Sequence, residues 1–376
     1  MKLTVAIFFI IASCDVAVVE SFTTSPSSIS KNISNNARIE TNCFHLKERP
    51  TTVTAATTPR NEEIRYIAGR RALLLQPKST NPAVDHPPLI ILGGMAQSIA
   101  SWEFHLPHFA KDRSVLIYEC LGQGPLPPEE ICSNAELDTY YDDVSLERQG
   151  RDFWSVVDDA FGNNNDGKVD VVGFSFGGRV AMAAAVVQPN RIRRLHLTGV
   201  AAERDEYGNV LCLSWKEMLG ANYIDIMGEK EREETNNSNS RLRAFAWSII
   251  LATYSEQFLA SVGAARVLTW VDGVCKYNTH SGLSAILLQT HGGEGQWTPA
   301  SMAERMKGSV ESFKLVVGSN DKMASPDQVL RLAQLLGTEE ENKQDNSCYK
   351  VVENCGHAVP FEAMRLWRED VIKYLT

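Results

Sequence analysis

The chain has 376 residues, 44% of them hydrophobic and 22% charged, so it can bury a sizeable core in one large domain or in two. Its formal net charge of -9 argues against a protein that binds nucleic acid or an anionic membrane surface. The eight cysteines include no Cys-x-x-Cys pair, so no metal site is predicted, and we expect free thiols in the folded part.

The first 60 residues have the character of a targeting sequence. Residues 1–21 are predicted to be a signal peptide, because Lys2 precedes an apolar run that is too short for a stable membrane span. Residues 22–60 are basic, rich in hydroxyl groups and poor in acids, which predicts a disordered, transit-like segment. A signal peptide followed by a phenylalanine, here Phe22, resembles the bipartite presequence of algae with complex plastids.

Two other destinations stay open at this stage. Secretion would fit the glycosylation sequons that begin at Asn32 and Asn236. A lipid anchor would fit the lipobox-like sequence that ends at Cys14. The composition of residues 22–60 favours the plastid, with a secreted or lipid-anchored protein as the alternative.

The folded part begins as an alternation of short apolar runs and helical periods. Residues 64–75 predict a hairpin that turns at Gly69, and residues 89–92 and 114–120 predict buried strands. Residues 145–161 have helical period, and residues 192–200 predict another strand. Strands that alternate with helices predict an α/β fold with a mostly parallel, doubly wound sheet.

Residues 168–189, KVDVVGFSFGGRVAMAAAVVQP, place a serine between a strand and a helix. The mostly β-branched run Val169–Val172 is followed by Gly173-Phe174-Ser175-Phe176-Gly177 and then by an apolar helical period. This order is that of the G-x-S-x-G nucleophile elbow, in which the sharp turn leaves no room for side chains at the two glycines. Ser175 is therefore the candidate nucleophile, although an ordinary glycine-rich strand-to-helix turn would read similarly.

Residues 201–305 lack strand-like runs and predict a helical cap inserted into the sheet domain, whose two parts are residues 61–200 and 306–376. The cap is rich in aromatic and aliphatic residues, which suggests an apolar pocket and makes Trp247 and Trp270 candidate substrate contacts. The same side chains would also suit the core of the cap itself.

The strand pattern resumes after the cap and supplies candidate partners for the serine. Asp321 follows the run 312–318, and His357 follows the last predicted strand, 349–352. The chain order serine, acid, histidine at successive strand ends fits a catalytic triad. Asp327 is a rival acid, but its place in the first turn of a helix already gives it a structural role.

An oxyanion hole needs two backbone N–H groups near the nucleophile. Phe176, which follows Ser175, is one candidate, and the loop after Leu92 offers Met95 and, second, Gly94. These motifs together resemble the α/β-hydrolase superfamily over about residues 64–376. The resemblance implies a sheet of about eight strands under a helical cap, and it implies no metal or organic cofactor.

The segment from Ser175 to Met182 also resembles the SHCHC synthase subgroup, which eliminates pyruvate in quinone biosynthesis. There the arginine equivalent to Arg179 helps to bind substrate carboxylates, whereas an arginine paired with a surface carboxylate or a helix end is the structural alternative. We expect a serine hydrolase that cleaves a small, apolar carboxylic ester or thioester through an acyl-enzyme on Ser175. A lyase of that subgroup and a non-catalytic ligand-binding protein are the alternatives, and the oligomeric state is not predicted.

Overall fold

The computed structural model describes residues 63–77, 86–133, 136, 139–162, 167–220, 235–291, 295–337 and 348–376. The predicted signal peptide of residues 1–21 and the transit-like segment of residues 22–60 lie outside this part of the chain. Six cysteines fall within it, and no disulfide joins any two of them.

A single sheet of eight strands organises the described residues. The strands are β1 Arg65–Ile67, β2 Arg70–Leu75, β3 Leu89–Leu92, β4 Val115–Tyr118, β5 Val169–Phe174, β6 Ile192–Thr198, β7 Val310–Gly318 and β8 Tyr349–Val352. Their spatial order is β1-β2-β4-β3-β5-β6-β7-β8. The pairs β1–β2 and β2–β4 are antiparallel, and the remaining pairs are parallel. The predicted doubly wound sheet of about eight strands is confirmed, and so is the hairpin at Gly69.

Helices pack on both faces of this sheet, and several of them come between β6 and β7 in the chain. They are α1 Leu106–Phe109, α2 Leu146–Phe161, α3 Phe176–Val187, α4 Glu206–Met218, α5 Thr235–Thr253, α6 Glu256–Val262, α7 Ala264–Tyr277, α8 His280–Thr290, α9 Pro299–Arg305, α10 Pro326–Leu335, α11 Val359–Glu362 and α12 Met364–Leu375. A short 3-10 helix covers Ile99–Trp102.

Both faces of the central strands are buried, as a parallel sheet requires. In β3, Ile90 and Leu92 belong to the core layer under α2 and α3, whereas Leu89 and Ile91 belong to the layer under α1 and α12. This alternation follows from the period of two along a strand. Because both faces are buried, these strands are continuous apolar runs in the sequence.

Two helix starts differ in how local side chains mark them. Ser145 precedes α2, and its side chain accepts a hydrogen bond from the Arg148 N–H, as an N-cap does. Pro326 occupies the first turn of α10, whereas the Ser325 side chain makes no capping bond. The proline, which has no N–H to satisfy, therefore marks this helix start more reliably than the serine.

The described residues between β6 and β7 form the six helices α4–α9 and no strand. The last of these, α9, packs against α3 and α10, so it lies in the core layer although the predicted cap includes it. Within the described ranges, no single helix is long and apolar enough to cross a membrane. The pair α6 and α7 meets that test only together, across a bend of 102°.

Candidate active site

Ser175 lies at the turn between β5 and α3 in a left-handed backbone conformation, with φ 51° and ψ -116°. A Cβ atom on Gly173 would lie 2.5 Å from the Gly178 Cα, and one on Gly177 would lie 2.4 Å from the Leu92 carbonyl oxygen. Both contacts are with backbone, so neither position accepts a side chain without moving the turn. The two glycines thus permit the strained geometry that holds the serine at the sheet edge.

Asp321 and His357 form a buried pair at the same edge of the sheet. The Nδ1 atom of His357 lies 2.7 Å from the Asp321 Oδ2 atom, and the two residues are 3% and 5% exposed. The other carboxylate oxygen, Oδ1, accepts the backbone N–H groups of Met323 and Ala324, each at 2.8 Å. Asp321 is therefore fixed from both sides, and it favours the histidine tautomer that carries its proton on Nδ1.

The opposite nitrogen of His357 is available to a reactant. Its Nε2 atom is buried and has no hydrogen-bond partner within the described ranges. His357 and Ser175 line the same cavity, and no hydrogen bond joins them in this structure. Such bonds often tighten only when substrate is bound. The rival acid, Asp327, is exposed in the first turn of α10 and makes no contact with the imidazole.

The loop after β3 changes the prediction for the oxyanion donors. The Gly94 N–H donates to the Oε1 atom of Gln97 at 2.7 Å, so Gly94 is not an available donor. The N–H groups of Met95 and Phe176 have no acceptor in the part of the chain that the structure describes. Both residues line the cavity beside Ser175, and Phe176 opens α3, where N–H groups have no intrahelical partner. Met95 and Phe176 remain the predicted pair.

Gln97 was not predicted, although it holds this loop in place. Its Oε1 atom accepts the Trp102 indole N–H at 3.2 Å as well as the Gly94 N–H. The buried Glu119 adds a second tie, because its Oε1 atom accepts the Ile99 N–H at 3.2 Å. The signal in the sequence was a polar side chain shortly after the glycine pair that follows β3.

The cavity above Ser175 has a volume of about 720 Å³ and is enclosed by the loop after β3 and by the cap. Trp270 lines it, as predicted. Trp247 does not: it packs against the apolar core, about two helical turns before the end of α5 that borders the cavity. The helical period predicted its burial but not its distance from the site.

Arg179 lies one turn after Ser175, and its guanidinium is only partly paired. The Nη2 group donates to the carbonyl of Thr290, at the end of α8, which is the helix-end contact that the sequence left open. The Nε and Nη1 groups are buried without a hydrogen-bond partner among the described residues. Burial and, to a smaller extent, the positive charge of the nearby Arg204 lower the pKa of Arg179 to about 9.

His291 and Arg204 extend the cationic character of this wall. The Arg204 Nη1 group donates to the His291 carbonyl oxygen at 3.1 Å, and both residues line the cavity. Burial and the two arginines hold the pKa of His291 well below its usual range, so its ring is neutral near pH 7. The sequence carried no signal for Arg204 or His291, because both come to the site from the cap. In the described ranges, no cluster of three or more His, Cys, Asp or Glu residues could hold a metal ion.

Comparison with known proteins gives one family and many structures of similar fold. A family model described as "Alpha/beta hydrolase family" matches residues 89–368. A curated relative, 2-hydroxymuconate semialdehyde hydrolase from Pseudomonas sp. (strain CF600), is 29% identical over 266 residues, which cover 66% of this chain and 85% of the relative.

Two solved structures illustrate the similarity in fold. The enol-lactonase from Burkholderia xenovorans LB400 superposes with a TM-score of 0.57 at 15% identity, covering 81% of this chain and 96% of the enzyme. The thermophilic esterase from Thermogutta terrifontis gives a TM-score of 0.54 at 15% identity, covering 81% and 92%. At this identity, the two structures bear on the fold alone.

Proposed function

Because the chain belongs to the Alpha/beta hydrolase family and is a hydrolase of that family, we propose that it cleaves a carboxylic ester or thioester through an acyl-enzyme on Ser175. One observation carries the proposal. The Asp321–His357 pair leaves the Nε2 atom of His357 without a partner on the cavity that the strained Ser175 also lines.

In the proposed reaction, His357 Nε2 accepts the Ser175 hydroxyl proton while Oγ attacks the carbonyl carbon. The N–H groups of Met95 and Phe176 stabilise the negative charge on the carbonyl oxygen. When the carbon–oxygen or carbon–sulfur bond breaks, the imidazolium returns its proton to the leaving group. Water activated by the same nitrogen then hydrolyses the acyl-enzyme, and Asp321 stabilises the imidazolium in both steps.

The test is covalent labelling followed by a substrate panel. We expect a fluorophosphonate probe to label the purified protein on Ser175, as read by peptide mass mapping, and we expect turnover of simple esters or thioesters. Ser175→Ala is expected to abolish both, whereas Ser155→Ala, at an exposed position on α2, retains both. A protein that neither reacts with the probe nor turns over any ester or thioester contradicts the proposal and favours a non-catalytic binding protein.

The partly paired guanidinium of Arg179 favours a second candidate, a lyase of the SHCHC synthase type. A buried guanidinium with free N–H groups suits a carboxylate on the substrate. A protein that is inert to esters, thioesters and the probe but eliminates pyruvate from the polycarboxylate precursor would support this candidate. Arg179→Met is then expected to raise KM for that substrate, and Arg331→Met, at an exposed position on α10, serves as the matched control.

The named substrate of the curated relative belongs in the same panel. 2-Hydroxymuconate semialdehyde tests whether this chain shares the reaction of the protein to which it is 29% identical. Turnover of this compound, with no turnover of esters or thioesters, would replace the proposed ester chemistry while keeping the same candidate residues.

The location in the cell is a separate proposal, which rests on residues 1–60 alone. We propose that they direct the protein to the plastid of an alga with complex plastids. Fusion of these residues to a fluorescent reporter is expected to give a plastid signal in such an alga. A reporter that is secreted or held at the cell surface would contradict this proposal and favour the secreted or lipid-anchored alternative.

A further inference from the structure

Three nearly parallel aromatic rings form a wall on the cap side of the cavity. The rings of Tyr254 and Phe258 lie 5.5 Å apart at 13°, those of Tyr254 and Trp270 lie 5.0 Å apart at 28°, and those of Phe258 and Trp270 lie 6.2 Å apart at 16°. All three residues line the cavity, and each is only partly buried. The wall is therefore an offset, nearly parallel set of rings that the protein does not fully cover.

Next to this wall the protein leaves space on the same helix. Gly273 follows Trp270 by one turn of α7 and also lines the cavity. A Cβ atom placed on Gly273 would meet no other atom within 4 Å. A glycine inside a helix costs about 1 kcal/mol relative to alanine, and here no close backbone contact requires it. Its effect is to leave a slot between Trp270 and Tyr277, which follows by one further turn and lines the same cavity.

The shape and chemistry of the slot select one kind of group. Aromatic rings prefer an offset or edge-on neighbour, so a further flat ring can continue the arrangement of the wall. A puckered saturated ring of similar size cannot bring all of its atoms against flat faces. This selectivity concerns the substrate of the proposed reaction, because Ser175 lines the same cavity.

We propose that the cap side of the cavity binds a planar aromatic or conjugated ring system of the substrate, stacked on Tyr254, Phe258 and Trp270 beside the slot at Gly273. The inference rests on the proposed function, since it names the class of substrate for that site. Trp270 and Gly273 are the specificity-determining residues: Trp270 supplies the stacking face and Gly273 supplies the space.

The test measures binding without turnover. Full-length Ser175→Ala protein is titrated with 2-acetonaphthone and with decahydronaphthyl methyl ketone, which differ mainly in whether the two fused rings are flat. We expect the flat ketone to bind at least about 5-fold more tightly. Trp270→Leu in the same background is expected to bring this ratio close to one. Equal binding of the two ketones, or a ratio that Trp270→Leu leaves unchanged, overturns the proposal.

Two further variants separate recognition from stability. Trp247→Leu removes a cap tryptophan that lies outside the cavity, and it is expected to keep the flat-ring preference. Gly273→Leu fills the slot and is expected to weaken binding of both ketones at least about 10-fold, because the leucine side chain occupies the space that the ring needs. If Gly273→Leu does not fold, Gly273→Val serves instead, with circular dichroism to establish the fold. A folded slot-filling variant that binds like its parent contradicts the proposed position of the ring.

Turnover by the wild-type protein distinguishes this proposal from the proposed function. Thioesters that carry either a naphthyl or a decahydronaphthyl group are followed by release of free thiol, with the ring placed on the acyl side or on the thiol side. If the protein binds the flat ketone more tightly but turns over no thioester or ester, the proposed subsite is supported and the proposed reaction is contradicted. Turnover of both series at equal kcat/KM would sustain the reaction and contradict the subsite.

Discussion

The turn at Ser175 and the slot on α7 both depend on a glycine, but for opposite physical reasons. A Cβ atom on Gly177 would lie 2.4 Å from the Leu92 carbonyl oxygen, whereas one on Gly273 would meet nothing within 4 Å. The sheet edge is thus built by close backbone packing that leaves no freedom. On the cap side, side chains surround a space that the protein leaves open. The backbone geometry of the nucleophile is therefore fixed at one end of the cavity, and the proposed choice of substrate is made at the other.

The largest effect is expected from a substitution at the hydrogen bond between Asp321 and His357, on the side of the cavity near Ser175. Asp321→Asn keeps an oxygen acceptor but loses the charge that stabilises the imidazolium, and we expect kcat/KM to fall by about 10³- to 10⁴-fold. The measurement is steady-state kinetics on the best ester or thioester of the panel. Asp327→Asn, at the exposed rival position, is the control, and an equal loss in both variants would contradict the assignment.

A stability measurement at Gly177 tests the backbone packing of the same region. Gly177→Ala places a methyl group against two carbonyl oxygens, those of Leu92 and Gly93, neither of which is part of a flexible side chain. We expect the free energy of unfolding to fall by about 3 kcal/mol or more, as read by urea denaturation. Gly167→Ala, where nothing lies within 4 Å, provides the matched control. Similar losses of stability in the two variants would contradict the expectation that close backbone packing at Gly177 leaves no room for a side chain.

Acid is expected to weaken, through His105, the core layer that packs beneath the loop after β3. This residue is fully buried among Trp102, Phe109, Phe361 and Trp367. Burial lowers its pKa from 6.5 to about 4, and the charges of Arg368 and His108 act in the same direction. The unfolded chain therefore takes up the proton first, and stability is lost as the pH falls from about 6.5 towards 4.

The loss attributable to His105 is at most about 3 kcal/mol. It is measured as the difference between the wild type and His105→Phe in urea denaturation at several pH values. His196 and His291 also have lowered pKa values, so only this difference isolates His105. The two proteins should diverge below about pH 6.5, and parallel curves down to pH 4 would contradict the expectation.

The smallest expected effect is at the open end of the cavity. Gly273→Ala adds a methyl group to a helix interior in which no atom lies near it. We expect the free energy of unfolding to rise by about 0.5–1 kcal/mol, because alanine favours the helix. Differential scanning calorimetry of the folded variant measures this gain. A loss of stability would mean that Gly273 is needed for packing rather than for space.

The strands and helices along the chain and the nucleophile turn were predictable because their signals are local. β-Branched runs, a serine between two glycines and an apolar helical period all lie within residues 168–189. Asp321 and His357 were found by chain order, since successive parallel strands bring their carboxyl ends to one edge of the sheet. Their contact of 2.7 Å is therefore a consequence of the topology.

Features that depend on loop conformation or on contacts between distant parts of the chain were not predictable. Gly94 was a candidate oxyanion donor, but its N–H is taken by Gln97 through a loop conformation that no local pattern specifies. Trp247 and Trp270 have the same residue type and the same cap, yet only Trp270 reaches the cavity. Arg179 meets Thr290, which is 111 residues away in the chain, and that contact depends on how the cap folds back over the sheet.

Through Gln97, the fluorescence of Trp102 can report on the order of the loop after β3. The Gln97 Oε1 atom accepts both the Gly94 N–H and the indole N–H of Trp102, so one acceptor is shared by the loop and a chromophore. Indole emission responds to the loss of such a bond. A protein that retains Trp102 while the other six of its seven tryptophans are replaced would make loop order visible by fluorescence during a single turnover.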